Sequence, residues 1–94
     1  MNGIPMNLYL VLTMRTARFD PDVLAAHYAH LDALKARGAL QAFGPFTDKS
    51  GGAYLLRAES FQNAQALAFS DPVHLTGSSA VTVREWNVTQ VATK

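Results

Sequence analysis

Three histidines and one aspartate are the side chains in this sequence best suited to chemistry. His27 and His30 stand three positions apart, and Asp71 precedes His74 by the same spacing further along the chain. In a helix, this spacing places two side chains about 60° apart, so the imidazoles of His27 and His30 can face one pocket. An imidazole has an ordinary pKa of about 6.5, and a carboxylate on its second nitrogen orients the ring and stabilises its charged form. The pattern is therefore compatible with proton transfer by a histidine assisted by Asp71.

Two other interpretations use the same residues. A catalytic zinc takes three protein ligands, whereas His27 and His30 supply two and nothing in the sequence fixes the distance of His74. We therefore expect no metal site. A histidine at the apolar margin of a helix is often a hydrogen-bonded structural residue, and an aspartate before a proline often ends a helix. The sequence leaves this structural alternative open for the histidines and for Asp71.

The composition narrows the class of partner. With 8 Lys and Arg against 7 Asp and Glu, the net charge is +1, and no basic cluster is present to bind nucleic acid or an anionic membrane. The absence of cysteine excludes disulfides and thiolate chemistry. The first residues lack the features of a signal peptide, and no apolar run approaches the ~20 residues of a membrane span. We expect a cytoplasmic protein whose ligand is a small molecule.

The elements that must position these residues alternate between strand and helix patterns. Residues 7–14 alternate between two largely apolar faces, which predicts a strand covered on both sides. Asp20-Pro21 has the pattern of a helix start, and the helix is expected to run to about Arg37 and end at Gly38. The elements expected after it are strands at residues 40–46 and 53–59 joined by a turn, a short helix capped by Ser60 that ends by Asp71, and a strand at residues 80–88.

The order β-α-β-β-α-β predicts an α+β, ferredoxin-like fold, with one four-stranded antiparallel sheet and both helices on one face. We expect a single domain over residues 1–94, with its core at about residues 7–88. The other sheet face is then expected to carry exposed apolar side chains, namely Tyr9, Val11, Phe43 and Trp86. In a chain with 49% hydrophobic and 16% charged residues, such a face needs a cover. A second copy would supply one as a homodimer, and the tail, residues 89–94, is the alternative.

Short motifs also follow one another in a recognisable order. They are His30-Leu31-x-x-Leu34 followed by Gly38, then Gly44-Pro45, Gly51-Gly52, Asp71-Pro72, Gly77 and a last strand that ends near Trp86. In order and spacing, these motifs resemble the YCII-related (YciI-like) family over residues 7–87. The resemblance implies a ferredoxin-like chain in a dimeric α/β-barrel, with a His–Asp pair as the active site in a pocket beside the sheet.

The resemblance also implies roles for individual residues. His30 matches the helix histidine of the family motif and would act as general base or acid, and Asp71 matches the aspartate that would orient it. His74 or Tyr28 would then contact the substrate. Family members often carry an arginine shortly before the helix histidine. Here Arg15 lies further back, before the helix begins, and is retained as a candidate substrate contact.

The function implied by the resemblance is cofactor-independent proton transfer on a small ring or lactone-like metabolite, by a lyase or an isomerase. The family resembles in fold a dehydrochlorinase of chlorinated hydroxyquinol breakdown and the muconolactone isomerases. His27 stands outside the family motif and is a candidate for a substrate contact specific to this chain. Two alternatives remain: a dimer that binds a small ligand without converting it, and a cofactor-free monooxygenase, which oxygen uptake would distinguish from a lyase.

Overall fold

The computed structural model describes residues 7–89 and 91, which form four strands and three α-helices. These elements are β1 (Asn7–Arg15), α1 (Leu24–Ala36), β2 (Leu40–Pro45), β3 (Gly51–Ala58), α2 (Phe61–Phe69), α3 (Pro72–Leu75) and β4 (Ser79–Trp86), with one 3-10 turn (Pro21–Val23) before α1. The strands are antiparallel and lie in the order β2-β3-β1-β4. The predicted ferredoxin-like α+β fold is confirmed.

The helix that carries both histidines begins and ends where the sequence indicates. The Asp20 side chain accepts a hydrogen bond from the Asp22 amide, and Pro21 occupies the first position of the 3-10 turn that leads into α1. At the other end, Gly38 adopts a left-handed conformation with a φ of 75°. A residue with a β-carbon rarely adopts this conformation, so the glycine terminates the helix.

A short helix that was missing from the sequence-based prediction follows α2. Asp71 was expected to mark the end of a helix, and α2 does end at Phe69, but Asp71 also caps the start of α3. Its side chain accepts a hydrogen bond from the Val73 amide, with Pro72 at the first helical position. The same Asp-Pro pair begins the segment before α1, so the sequence did contain the signal for α3.

The face of β1 that packs against the helices is the reverse of the one predicted. Tyr9 and Val11 are 1% and 0% exposed and belong to the core with Leu31 and Leu34 of α1, so their predicted place on the open face was wrong. Phe43 was also placed there wrongly, because it pairs with buried Tyr54 and is therefore on the helix side of the sheet. Both faces of β1 are apolar, so alternation alone could not choose between them.

The open face carries the other half of the alternating pattern. Its centre is a row of leucines from β1 and β3: Leu8, Leu10, Leu12 and Leu55. Trp86 pairs with Leu8 and is 48% exposed, so it lies on the open face as predicted. The tail at residues 89–94 was the alternative cover for this face, and its residues 90 and 92–94 lie outside the described residues. Within the described residues, the helices are all too short or too polar to cross a membrane.

Candidate functional site

A cleft of about 490 Å³, partly open to solvent, lies between the first half of α1, α3 and neighbouring ends of the strands. Six polar side chains line it: Thr13, Arg15, His27, Tyr28, Tyr54 and Ser79. They come from β1, α1, β3 and β4, so residues distant in the sequence meet at one end of the sheet. A concave, mainly apolar site with a few convergent polar groups has the character of a small-molecule pocket.

Asp71 is the buried anchor of this site. Its side chain is 0% exposed, and its two carboxylate oxygens accept hydrogen bonds from three groups. The Val73 amide donates to Oδ1 at 3.0 Å, the Tyr54 hydroxyl donates to Oδ2 at 3.1 Å, and His27 Nδ1 lies 2.9 Å from both oxygens. A buried carboxylate without such partners would be strongly destabilising, so these donors make its burial tolerable.

The contact with Asp71 determines which nitrogen of His27 carries the proton. An ionised carboxylate only accepts hydrogen bonds, so Nδ1 must be the donor at 2.9 Å. In the neutral ring, the lone pair is then on Nε2. The His27 side chain is 12% exposed and lines the cleft. This arrangement leaves Nε2 able to accept a proton, while Asp71 orients the ring and stabilises the imidazolium that results.

Tyr54 is a site residue that the sequence analysis missed. It is 3% exposed at the middle of β3, across from Val11 and Phe43. Burial, and then the nearby Asp71 carboxylate, raise the pKa of Tyr54 well above its ordinary value of 10.0. Tyr54 therefore stays protonated and remains a hydrogen-bond donor to Asp71. The one signal in the sequence is that a buried tyrosine needs a partner for its hydroxyl, which does not identify the partner.

The predicted pairing of His30 with Asp71 is wrong. His30 Nε2 instead donates to the backbone carbonyl of Leu67 at 3.1 Å, and the Ser70 hydroxyl donates to the same oxygen at 2.8 Å. The amide that would bond to this carbonyl in a continuing helix, that of Asp71, bonds to Ala68 instead. His30 thus satisfies an acceptor at the end of α2 and joins α1 to α2.

A pattern in the sequence does distinguish the two histidines. His27, Leu31 and Leu34 are related by steps of four and three residues, which places them on one row of α1. Both leucines are in the core, at 2% and 1% exposure. His27 therefore points with them toward the sheet side, and His30 is rotated away toward α2.

The remaining predicted contacts divide between the cleft and the surface beside it. Tyr28 lines the cleft and is 44% exposed, and Arg15 lines it with its guanidinium 4.1 Å from the centre of the Phe19 ring. His74 stacks on Phe69, with ring centres 4.4 Å apart, and is placed outside the cleft lining. In the described part of the chain, no group of three His, Asp or Glu side chains is arranged to hold a metal ion.

Known proteins resemble this chain in sequence and in fold. A model of the YCII-related domain matches residues 8–87. The uncharacterized protein YjpA of Bacillus subtilis is 45% identical over 83 residues, which are 88% of this chain and 98% of YjpA. A solved structure of 5-chloro-2-hydroxyhydroquinone dehydrochlorinase (TftG) from Burkholderia phenoliruptrix, in complex with 2,5-dihydroxybenzoquinone, superposes with a TM-score of 0.71 at 27% identity, covering 85% of this chain and 93% of that one. The chain belongs to the YCII-related family.

Proposed function

We propose that this protein is a small-molecule lyase or isomerase that works by proton transfer, with His27 as the general base and acid and Asp71 as its partner. One observation carries the proposal: a fully buried carboxylate lies 2.9 Å from Nδ1 of a histidine that lines a cleft. At the coarse level, the chain shares its fold with a dehydrochlorinase, which is an enzyme acting on a small ring compound.

The proposed step begins at Nε2 of His27. As a C–H bond of the substrate breaks, its proton moves to Nε2 and its electron pair forms a new double bond. In an elimination, the leaving group departs with its own bonding pair, and Nε2 then releases the proton to the leaving group or to water. In an isomerisation, the electron pair of the original double bond shifts to a different carbon, which takes the proton back from Nε2. Asp71 offsets the positive charge on the ring between the two events, and such acid–base catalysis contributes about 10²–10⁴-fold in rate.

The walls of the cleft support a small, flat substrate. Apolar side chains from several elements line it together with His27, among them Phe19, Leu24, Phe43 and Val73. Apolar walls exclude water, which strengthens the electrostatic interaction between the charged ring and Asp71.

A homodimer closed over the open sheet face is part of the proposal. The leucine row of β1 and β3 is flanked by Met14 and Trp86, which are 38% and 48% exposed in the single chain. Burying such a face against a second copy would remove the largest apolar surface of the sheet from water. Leu10→Lys should convert the dimer to a monomer in sedimentation velocity, whereas Leu75→Lys, on a side chain 70% exposed in α3, should not. A wild-type monomer at micromolar concentration would contradict this assembly.

Turnover on a defined set of compounds tests the proposed reaction. The set should contain 5-chloro-2-hydroxyhydroquinone, with chloride release as the readout, and small unsaturated lactones, with isomer formation followed by NMR. The wild-type protein should convert at least one of them without oxygen uptake. A compound that raises the melting temperature but is never consumed would favour the ligand-binding alternative and contradict the proposal, and oxygen uptake would favour a monooxygenase.

A further inference from the structure

The charges that line the cleft are of one sign. Arg15 is the one permanently charged side chain among the described residues of the lining, and no carboxylate is among them, because Asp71 lies behind His27. Arg15 ends β1 and is the cross-strand partner of Ser79 at the start of β4. Both side chains therefore emerge on the same face of the sheet, at the end where the cleft opens.

The Arg15 guanidinium has donors to spare. In the part of the chain that the structure describes, the ion pair found is that of His27 with Asp71, and no carboxylate is within ion-pair distance of Arg15. The guanidinium instead lies over the ring of Phe19, at 4.1 Å from its centre. Stacking on an aromatic ring restrains the guanidinium without pairing its N–H groups to an acceptor. These N–H donors therefore stay available to an anion.

Ser79 supplies a second donor beside it. The residue is 6% exposed and lines the cleft, and its hydroxyl takes part in none of the side-chain hydrogen bonds found among residues 7–89 and 91. Its neighbours differ in this respect. The Thr13 hydroxyl donates to the Gly52 carbonyl at 3.2 Å, and the Ser78 hydroxyl is bonded to that of Thr76 at 2.9 Å. Ser79 is therefore the buried hydroxyl with capacity for a ligand.

Two exposed aromatic rings complete the cleft. Tyr28 and Phe43 line it and are 44% and 50% exposed, although large aromatic side chains gain most from burial. A flat ring bound between them would cover both. No acidic side chain of the lining would repel an anionic group on that ring, and His27 lines the same cleft.

From these features we infer that the substrate is a small planar acid, bound as its anion. Its carboxylate or phenolate oxygen bonds to Arg15 and Ser79, its ring lies against Tyr28 and Phe43, and the bond to be broken is presented to His27. The inference rests on the proposed function for the reacting group. The anion subsite itself can be tested without any turnover.

Benzoate and benzamide are matched probes for this subsite, because they share size and shape and differ in charge. Titrations followed by NMR should show benzoate binding at least about tenfold more tightly than benzamide, since charge-assisted hydrogen bonds are the stronger kind. Arg15→Gln should abolish this preference, Arg15→Lys should restore part of it, and Ser79→Ala should weaken benzoate by a few fold. Arg37→Gln removes the same charge at the exposed end of α1 and should bind benzoate as the wild type does.

Equal binding of the two probes, or an Arg15→Gln protein that keeps the preference, would overturn the inference. If Arg15→Gln does not fold, Arg15→Lys and the salt dependence of benzoate binding decide, because an anion held by an exposed cation is released as salt rises. His27→Gln separates this inference from the proposed reaction. That variant should still bind benzoate through Arg15 while turnover is lost, so either claim can fail alone.

Discussion

His27 and His30 are chemically identical, lie less than one turn apart on α1, and have opposite environments. His27 meets a buried carboxylate through Nδ1, whereas His30 meets a backbone carbonyl through Nε2. The carboxylate stabilises a charged imidazole and leaves Nε2 free to exchange protons. The carbonyl uses the Nε2 proton of His30 to complete the end of α2. The group that each imidazole contacts therefore decides which histidine can act as a base.

The two Asp-Pro pairs also have the same local sequence and different environments. Asp20 and Asp71 each accept a hydrogen bond from the amide two residues on, and each is followed by proline at the first helical position. Asp20 is exposed and caps a turn, while Asp71 is 0% exposed and also accepts from Tyr54 and His27. The same local motif starts a helical segment in both places. Only the buried aspartate, Asp71, also serves as the hydrogen-bond partner of a histidine and a tyrosine.

The largest effect should come from replacing the two histidines separately. His27→Gln should lower turnover by about 10²–10⁴-fold, because the general base is lost. His30→Gln should change turnover only slightly, because its partner is the Leu67 carbonyl and not Asp71. Steady-state rates on any compound that the wild type converts will measure both. Equal losses in the two variants would erase the proposed difference between the histidines.

The two aspartates should differ in their effect on stability. Asp71→Ala removes a helix cap and leaves the Tyr54 and His27 donors unpaired in the interior, so it should cost about 2–4 kcal/mol. Asp20→Ala removes only an exposed cap and should cost about 0.5–1 kcal/mol. Urea unfolding of the two variants supplies the comparison. Similar free energies of unfolding would mean that the buried network contributes little.

Tyr54→Phe should produce a smaller loss, of about 1 kcal/mol at neutral pH, because one donor to Asp71 disappears. The variant should also change how the free energy of unfolding depends on pH above 10. Since the pKa of Tyr54 is raised in the folded protein, the unfolded chain releases this proton first, and stability present below pH 10 falls as the pH rises above it. The free energy of unfolding should therefore fall less steeply above pH 10 in Tyr54→Phe. An unchanged slope would show that Tyr54 ionises normally.

A loss of similar, small size is expected for the structural histidine. His30→Leu removes the hydrogen bond to the Leu67 carbonyl and should lower the free energy of unfolding by about 0.5–1.5 kcal/mol. The Ser70 hydroxyl still donates to that oxygen, which limits the loss. Chemical denaturation should show a much smaller loss of unfolding free energy for His30→Leu than for Asp71→Ala. A loss as large as that of Asp71→Ala would assign His30 to the same network.

Much of the fold follows from local patterns in the sequence. Asp20-Pro21 and Gly38 bracket the first helix, and Ser60 caps α2 with its hydroxyl on the Asn63 amide, as local rules require. The orientation of β1 did not follow, because Leu10 and Val11 are both apolar and the choice of face depends on what the helices cover. Tertiary packing supplied that information.

The site was predicted in part. Asp71 was predicted to orient a catalytic histidine, and it is the buried centre of the network. Its histidine was assigned by matching a motif, and the match selected His30, whose ring is turned toward α2. The helical row shared with Leu31 and Leu34 favours His27. Tyr54 could not be found from spacing, because its contact with Asp71 joins the middle of β3 to the start of α3.

Long-range ¹H–¹⁵N NMR spectra of the imidazole rings test the central claim most directly, because they report which nitrogen of each neutral histidine is protonated. The account predicts that His27 carries its proton on Nδ1 and His30 carries its proton on Nε2. Asp71→Asn should disturb the signals of His27 and leave those of His30 in place. A His27 ring protonated on Nε2, or an Asp71→Asn effect confined to His30, would contradict it.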